Sequence, residues 1–327
     1  MNMKRVLVAR IMAGFGLLLC ATTAWSQSGP FPNRPIHVIV PFPPGGAVDP
    51  IARSITPKLE EAWGQPVVVD NKPGAATIVG SDFVAKSPPD GHTVILVATS
   101  FTVNPSAYSK LPFNPVKDFA PISLVSRLPN MLVVNSRLPV NSVKELIDYL
   151  KARPGQVNFS SIGYGSTQHL AGELFKSVAG VNMMHVPYKG SGPSMMSVVS
   201  GETSVTFDTV FLLTPQVKAG KLRALAASGT KRTPLAPDLP TASESGLPGF
   251  DVGGWVGFLA PAGTPREIIQ KWHQETSRII QTPEFRERQI SQGLEPVGST
   301  PEYFAEFIKT EIAKWGKVVR QAGIKLD

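Results

Sequence analysis

The sequence lacks most of the residues by which disulfide-stabilised, zinc-binding and nucleic-acid-binding proteins are recognised. Its 327 residues include one cysteine, which excludes an internal disulfide framework and any zinc site built from several cysteines. Charged residues make up only 17% of the chain, whereas ~25% is usual. The formal net charge is +8, but no five basic residues follow one another, so the sequence predicts no nucleic-acid partner.

The motifs of common enzyme classes are missing as well. The sequence contains no G-x-x-x-x-G-K-[ST], no G-x-S-x-G and no H-E-x-x-H, and its five histidines do not have the spacing of metal ligands. The Gly45-Gly46 turn does not match the G-x-G-x-x-G pattern of dinucleotide-binding proteins. The sequence therefore predicts no metal, no cofactor and no enzymatic activity.

Proline and glycine are abundant instead. The chain has 31 prolines and 29 glycines, so many tight connections are expected. A hydrophobic content of 42% is typical of a globular protein, and 327 residues are sufficient for two domains of ordinary size.

The N-terminal segment is typical of a signal peptide. Three basic residues occur among the first ten positions, and the apolar run at positions 11–25 is too short to span a bilayer. We expect residues 1–26 to be a signal peptide that is cleaved near Ser26 during export. Its removal subtracts the three positive charges, so that +8 becomes +5, and it also removes the only cysteine.

Cys20 leaves lipid modification as an alternative to simple export. It follows three leucines, but Leu19 is bulky at a position where lipid-modification sites have a small residue. Export as an unmodified soluble protein is therefore favoured. In both cases residues 27–327 contain no cysteine.

The mature chain alternates short β-branched runs, tight turns and amphipathic helices. Strands are predicted at 36–42, 67–69 and 93–98. The turn Pro43-Pro44-Gly45-Gly46 follows the first strand, a helix is predicted from Asp49-Pro50, and a polar turn is predicted at 99–104. This alternation favours an α/β fold in which helices cover both faces of a parallel sheet.

A second half with the same organisation begins near residue 127. It contains predicted strands at 131–134, 157–160, 183–186 and 204–207. A capping box at Ser142-x-x-Glu145 predicts a helix start. Strands near 125–134 and near 250–260 have corresponding positions, and we expect both to cross between two domains as a hinge. The predicted domains are residues 27–127 together with 251–327, and residues 128–250.

Two of the strand-to-helix turns, at 43–46 and at 163–167, carry the residues expected to bind a ligand. The first turn of a helix has unpaired N–H groups and a partial positive charge, so it binds anions. Glycines in both turns let a ligand approach the backbone, and the hydroxyls of Ser166 and Thr167 are further donors. With one turn in each domain, the expected occupant of the cleft between them is a small carboxylate.

Several of these residues also have structural interpretations. The turn at 43–46 can be a tight connection only, Asp49 can be a helix N-cap, and His169 can cap a helix or pack in the core. Asp208, at a predicted strand end, can bind a ligand amine, orient a loop or pair with a lysine. Tyr188 can be an amphipathic packing residue. The sequence leaves these alternatives open.

A secreted hydrolase is the alternative from another functional class. Ser166 and His169 lie three residues apart at a predicted helix start, so they share one face of that helix. The sequence places no acid to orient the imidazole, and it has no nucleophile elbow. A binding protein is therefore favoured over a hydrolase.

Several longer segments together resemble one protein family. They are RPIHVIVPFPPGGAVDPIAR, EEAWGQPVVVDNKPGAA, PPDGHTVIL, GSTQHLAGELFK, HVPYKGSGP and AGKLRALA. In register from residue 34 to residue 320, they resemble the Bug family, which comprises the periplasmic solute-binding proteins of tripartite tricarboxylate transport systems. The resemblance covers essentially the whole mature chain.

The resemblance implies a type II periplasmic-binding-protein fold, whose two domains close on a carboxylated metabolite in the periplasm. It implies that backbone N–H groups, hydroxyls and bridging waters hold the carboxylate. Its implied partners are the membrane subunits of a tripartite tricarboxylate transporter or a sensor protein, and a monomer is expected. The expected ligand-binding residues are Pro43, Pro44, Gly45, Gly46, Ala47, Asp49, Ser100, Thr102, Gly163, Tyr164, Gly165, Ser166, Thr167, His169, Tyr188 and Asp208.

The chain departs from the family pattern at three turns. It has Gly163-Tyr164-Gly165-Ser166 where Gly-Asn-Gly-Ser is common, Gly74-Ala75-Ala76-Thr77 where Gly-Ala-Gly-Gly is common, and Phe207-Asp208-Thr209 where Phe-Asp-Asn is usual. We expect these differences to alter the side pocket and not the carboxylate end. Phe101, Tyr164 and Phe211 are predicted to form an aromatic wall, which gives the hypothesis that the ligand is an aromatic acid rather than a citrate-like acid or an amino acid.

Overall fold

The computed structural model describes residues 30–45, 48–229 and 231–326. The predicted signal peptide with its cleavage site, Cys20, Gly46 and Ala47 lie outside the described residues. The described chain alternates strands and helices from end to end, which confirms the α/β class. Its strands are β1 Ile36–Val40, β2 Val67–Asn71, β3 Thr93–Ala98, β4 Phe119–Asn135, β5 Asn158–Ser161, β6 Met184–Pro187, β7 Val205–Thr209, β8 Leu222–Ala227, β9 Gly253–Pro261 and β10 Glu295–Pro296.

Helices follow most of the strands. They are α1 Asp49–Trp63, α2 Ile78–Ala85, α3 Ser100–Ala107, α4 Val143–Lys151, α5 Thr167–Ala179, α6 Ser191–Ser200, α7 Val210–Lys218, α8 Arg266–Gln281, α9 Pro283–Ser291 and α10 Pro301–Ala322. Their ends follow local rules: Ser142 Oγ accepts the Glu145 N–H at the start of α4, as the capping box predicts. Gly64 ends α1 in the left-handed conformation, with φ 64°.

The strands form one ten-stranded sheet with two halves that share β4. The order is β2-β1-β3-β9-β4-β7-β5-β6, and β8 and β10 also pair with β4. In the first half β2, β1 and β3 are parallel, and in the second half β6, β5 and β7 are parallel. Repetition of one arrangement in both halves is the organisation that the sequence predicts.

The 17-residue strand β4 connects the two halves. Its first part, from Phe119 to Pro129, pairs with β9, and its last part pairs with β7 and β8. The sequence predicts two crossing strands, but β9 pairs only within the first half. The returning chain crosses within the predicted range 250–260, just before β9, where the Val252 N–H donates to Ser228 O at 2.8 Å.

The register of β4 brings the carboxyl ends of both sets of parallel strands to the same place. Ala98, the last residue of β3, pairs with Val256, which pairs with Ser126 of β4. Only a few residues further along β4, Asn130 pairs with Thr209, the last residue of β7. The turns that follow the parallel strands of each half therefore face one another across residues 127–129. We call this place the junction.

Several apolar clusters cover the two halves, and one of them contains residues of both. Two clusters cover the two faces of the first half, one around Trp272 and Phe258 and the other around Trp255 and Phe304. A third cluster, mainly in the second half, contains Phe159 and side chains of β7, α4 and α5, and it includes Val103 and Ala107 of α3 from the first half. Helix α10 contributes to both halves, because its early residues belong to the Trp255 cluster and its later residues to the Phe159 cluster.

The polar turn predicted at 99–104 is wrong, because helix α3 begins at Ser100. The Thr99 carbonyl accepts the Thr102 and Val103 N–H groups and so starts the helix. Its threonines, asparagine and internal Pro105 have low helix propensity, which made the segment resemble a turn. Burial of Phe101 and Val103 outweighs that propensity.

Candidate functional site

The first predicted turn, after β1, is fixed by Asp49. Its side chain is only 4% exposed. Its Oδ2 accepts the Gly45 N–H at 3.1 Å and Arg53 Nε at 3.0 Å, and its Oδ1 accepts Asn71 Nδ2 at 3.0 Å. The hydrogen bond from Arg53, supported by those of Gly45 and Asn71, lowers the pKa of Asp49. Asp49 therefore anchors the turn, while Pro43, Pro44 and Gly45 are exposed beside the junction.

The second predicted turn, between β5 and α5, is closed by its own polar groups. Gly163 and Gly165 have φ values of 125° and 73°, which favour glycine. Ser166 Oγ donates to Gly163 O at 2.6 Å and accepts the His169 N–H as the cap of α5. The hydroxyl proton expected to contact a ligand therefore closes the turn instead. The N–H groups of Thr167 and Gln168, in the first turn of α5, have no partner within the helix.

His169 lies beneath this turn and pairs with a histidine that the sequence analysis missed. Its Nδ1 accepts the Gly165 N–H at 3.1 Å, and its ring stacks on that of His185 with centroids 3.9 Å apart. Burial, together with the neighbouring His185 and Lys176 charges, lowers the pKa of His169 to about 3. Burial, with a smaller effect of Lys176, lowers the pKa of His185 to about 4. Both rings are therefore neutral near pH 7.

The hydrogen bonds of the turn do not form the Ser–His pair of a hydrolase. The Ser166 hydroxyl donates to a backbone carbonyl, and His169 Nδ1 accepts a backbone N–H. A serine nucleophile needs its proton to be accepted by the imidazole. In this arrangement both groups stabilise the turn.

We expect neither His169 nor His185 to titrate between pH 5 and pH 8. In the folded chain their pKa values are about 3 and about 4, whereas the ordinary value is 6.5. Below pH 6.5 the unfolded chain therefore binds two protons that the folded chain does not bind, so the free energy of unfolding falls on acidification toward pH 4. NMR of the ring nitrogens, assigned with His169→Phe and His185→Phe, measures this; a midpoint between pH 6 and pH 7 for either ring contradicts it.

Asp208, at the end of β7, is hydrogen-bonded to Gln168, and each of the two side chains keeps one buried oxygen that can accept a further hydrogen bond. Gln168 Nε2 donates to Asp208 Oδ1 at 3.0 Å, and the Thr209 N–H donates to the same oxygen at 2.7 Å. Gln168 Oε1 and Asp208 Oδ2 are buried and accept no hydrogen bond from the described residues. Burial raises the pKa of Asp208 despite these hydrogen bonds. Gln168 is therefore a further candidate residue, which the sequence analysis missed.

Asp208→Asn is expected to become more stable relative to the wild type as the pH rises from about 4. The ordinary pKa of Asp208 is 3.8 and the folded value is higher, so the folded chain holds a proton that the unfolded chain has lost. The contribution of Asp208 to wild-type stability therefore falls with rising pH through this window, and the permanently neutral asparagine removes that contribution. Melting temperatures of both proteins from pH 4 to pH 7 measure it, because the histidine effects cancel in the difference. A difference that stays constant with pH contradicts it.

A third turn, between β2 and α2, lies beside the predicted Ser100. Ala75, Ala76 and Thr77 have φ values of 43°, 50° and 82°, in the left-handed region that side chains rarely adopt. Asn104 Nδ2 holds them by donating to Ala76 O at 2.8 Å, and Thr77 Oγ1 lies 3.4 Å from Ser100 Oγ. Consecutive strained residues of this kind cluster at ligand sites. The sequence signal for this turn is the departure from the family pattern at Gly74-Ala75-Ala76-Thr77. None of these four residues is among the predicted ligand-binding residues.

Three other predicted aromatic or hydroxyl contacts have different environments. Thr102 is buried and donates to Thr99 O. The Tyr188 hydroxyl donates to Glu202 at 2.9 Å, so it is not a free ligand donor. Phe101 is 1% exposed and packs on Phe113 and Phe119 in the first half, so its predicted place in an aromatic wall is wrong. Local patterns did not distinguish a core aromatic from an exposed one.

Tyr164 and Phe211 are the two members of the predicted wall that remain exposed. Tyr164 is 67% exposed, and its ring meets those of His169 and His185 edge-on at 5.4 and 5.0 Å. Phe211 is 55% exposed and is the second residue of α7, which directly follows β7. Both belong to the second half. The structure thus brings Tyr164, His169 and the glycine turn together at the junction, with Asp208 at the adjacent strand end.

Comparison with known proteins gives the family of the chain. A family model described as "Tripartite tricarboxylate transporter family receptor" matches residues 51–324. The chain belongs to this receptor family. The protein BugT of Bordetella pertussis is 37% identical to it over 328 residues, which cover 100% of this chain and 100% of BugT. The resemblance to the Bug family is confirmed.

Three solved structures of similar proteins support the receptor fold. The periplasmic binding protein BugD has a TM-score of 0.71 and 34% identity, covering 90% of this chain and 99% of BugD. R. palustris Rpa4515 with adipate has a TM-score of 0.74 and 36% identity, covering 90% and 99%. MatC from Rhodopseudomonas palustris with bound malate has a TM-score of 0.71 and 33% identity, covering 88% and 100%. The predicted periplasmic-binding-protein fold is confirmed.

Two properties of the described residues complete the description of this receptor. Among them, no helix is both long and apolar enough to cross a membrane. Within the same ranges, no group of three or more His, Cys, Asp or Glu side chains is placed to hold a metal ion.

Proposed function

We propose that the chain is a periplasmic receptor that captures one small organic carboxylate at the junction and catalyses no reaction. The observation that carries this proposal is the register of β4, which turns the carboxyl ends of both strand sets toward one another. Ligands of open α/β sheets bind outside the carboxyl ends of the strands. Here two such ends meet, so one small molecule contacts both.

Helix starts give the junction its preference for anions. Helices α3 and α5 begin there with Ser100 and Thr167, and their first N–H groups lack intrahelical partners. Their dipoles add partial positive charge. The histidines beside these helix starts are neutral, and Asp208 is buried, so none of them adds a fixed positive charge. Neutral hydrogen-bond donors therefore bind the carboxylate. This is a site for a carboxylate without an arginine clamp.

The two units that close on the ligand are residues 27–127 with 251–327, and residues 128–250. Open and closed arrangements interconvert, and a ligand that contacts both turns favours the closed one. We infer that the receptor acts in the periplasm after cleavage near Ser26 and delivers its ligand to the membrane subunits of a tripartite tricarboxylate transporter or to a sensor protein. The family description supports the transporter as the partner. Relatives solved with adipate and malate support a carboxylate as the ligand.

A thermal-shift screen tests the proposed function. Ligands that bind only the folded chain raise its melting temperature, by an amount that grows with concentration above Kd. We expect at least one acid from a panel of C4–C6 dicarboxylates, tricarboxylates and aromatic acids to raise the melting temperature of residues 27–327. Amides of the same acids serve as uncharged controls and are expected to have no effect. An equal shift with acid and amide, or no shift with any acid, contradicts the proposal.

The exposed Tyr164 ring favours an aromatic acid within this class. A flat ligand ring gains contact with Tyr164, which itself packs on the two histidines. Tyr164→Ala is expected to lower the affinity for an aromatic acid by about tenfold, which corresponds to ~1.4 kcal/mol. The affinity for an aliphatic dicarboxylate is expected to stay unchanged. Calorimetry with both acids measures the difference. Equal losses for the two acids contradict an aromatic ligand.

A further inference from the structure

Helix α10 changes from one core to the other at a single buried carboxylate, that of Glu311. Before it, Phe304 and Ile308 pack in the Trp255 cluster of the first half. After it, Trp315, Val318 and Val319 pack in the Phe159 cluster, which is formed mainly by the second half and includes Val103 and Ala107 of α3. Glu311 itself is only 4% exposed. The helix is thus a connection between the halves in addition to the chain crossings at β4 and at Val252.

Glu311 bonds to Trp255 of β9 and, within its own helix, to Trp315 and Lys314. Its Oε2 accepts the indole N–H of Trp255 at 3.2 Å and that of Trp315 at 2.8 Å. Its Oε1 pairs with Lys314, whose Nζ donates to the Asp251 carbonyl at 3.0 Å, on the returning chain crossing. Buried charge-assisted bonds of this kind are strong and directional. Glu311 therefore fixes α10 to β9 and holds Trp315, one turn further along the same helix, in its place in the Phe159 cluster, while Lys314 fixes the helix to the returning crossing segment.

The surroundings of Glu311 link this cluster to the ligand turns and leave room for rotation. The Trp255 N–H donates to Thr99 Oγ1, directly before helix α3 at the junction. A cavity of about 280 Å³ lies beside the cluster and is lined from both halves, by Arg127, Pro129, Gly229, Lys231, Gly253 and Tyr303 among others. None of the predicted ligand-binding residues lines this cavity.

We propose that Glu311, with Trp255, Trp315 and Lys314, is the pivot about which the two halves rotate when the receptor closes. A fixed pivot makes closure a rotation about one axis, so the two ligand turns meet in register. Without the pivot, the two halves also slide past one another. A smaller fraction of the receptor molecules then has the arrangement that binds the ligand. The apparent affinity falls by that fraction. Glu311 is thus a positioning residue that does not touch the ligand, and its role rests on the proposed function.

Trp315→Phe tests the pivot against a matched control, Trp272→Phe. Both tryptophans are fully buried and donate one indole hydrogen bond, but Trp272 donates to Gly91 O within the first half. Residues 27–327 have no cysteine, so Val79→Cys and Lys189→Cys give one spin-labelled pair across the junction. We expect Trp315→Phe to broaden the distance distribution of the ligand-free protein and to weaken carboxylate binding by about fivefold or more. Trp272→Phe is expected to lower only the melting temperature.

A second pair avoids the core and keeps the test decisive if Trp315→Phe does not fold. Lys314→Met removes the ion pair to Glu311 and the bond to Asp251 O, and Lys309→Met removes an exposed ion pair to Glu306 on the same helix. Only Lys314→Met is expected to broaden the distances. Equal distributions in each variant and its control overturn the pivot. Because the distances are measured without ligand, they judge the pivot even if no carboxylate binds.

Discussion

Valine in place of Gly165 is expected to lower the affinity of the receptor for its carboxylate by about 100-fold or more, which corresponds to ~2.7 kcal/mol. Gly165 has φ 73°, which a β-branched residue strongly disfavours. A Cβ at this position lies 2.7 Å from Leu326 Cδ1, so that side chain has to move, and the positive φ strains the turn itself. The Gly165 N–H then leaves His169 Nδ1, and the start of α5 loses its position at the junction. Isothermal titration calorimetry with the best acid of the thermal-shift panel measures this loss.

Gly180→Val is the matched control for this prediction. Gly180 ends the same helix with φ 63°, and a Cβ there meets nothing within 4 Å. Valine at 180 therefore strains the backbone to a similar degree but makes no contact at the ligand turn. We expect a lower melting temperature and an unchanged affinity for the carboxylate. If both valines weaken binding equally, the glycine turn is not the ligand site.

Asp49→Ala is expected to lower both stability and affinity. The substitution leaves the Gly45 N–H, Arg53 Nε and Asn71 Nδ2 without their shared acceptor. Loss of such a buried acceptor costs about 2 kcal/mol of the free energy of unfolding, since Arg53 is partly solvated. The turn after β1 then loses its fixed shape, and the affinity for the carboxylate falls by about tenfold or more. Urea unfolding and calorimetry measure the two effects.

Asp148→Ala provides the comparison for Asp49→Ala. Asp148 is exposed on α4 and pairs only with Lys144 four residues earlier. We expect its removal to leave unfolding and binding unchanged. Unchanged affinity in Asp49→Ala, with the expected loss of stability, would limit Asp49 to a role in folding.

The parts of the fold that the sequence predicts depend on local chemistry. A capping serine three residues before a glutamate starts α4, and a β-branched run forms β3 at the predicted positions. Glycine turns after strands mark the junction because only a few residues adopt positive φ without strain. These rules act over a few residues, so the sequence alone is sufficient to apply them.

The parts that the sequence did not predict depend on distant contacts. His185 and His169 are brought together by pairing of β5 with β6, and Gln168 meets Asp208 across the start of α5 and the end of β7. The local pattern predicts Phe101 in the pocket wall. That prediction is wrong because Phe101 is buried by Phe113 and Phe119, contacts that the local pattern does not show. Asp49 and Ser166 were predicted as ligand contacts, but their polar atoms hold the turns in shape.

The most direct test of a carboxylate site at the junction is a calorimetric titration of residues 27–327 with one acid and its amide. The acid is the one that raises the melting temperature most, and the amide has nearly the same shape without the negative charge. Helix starts and backbone N–H groups favour the anion. The expected result is one acid bound per chain. The affinity for the amide is expected to be lower by about 100-fold or more, and Gly165→Val is expected to lose its affinity for the acid. Equal affinity for acid and amide, or full binding by Gly165→Val, would contradict the account.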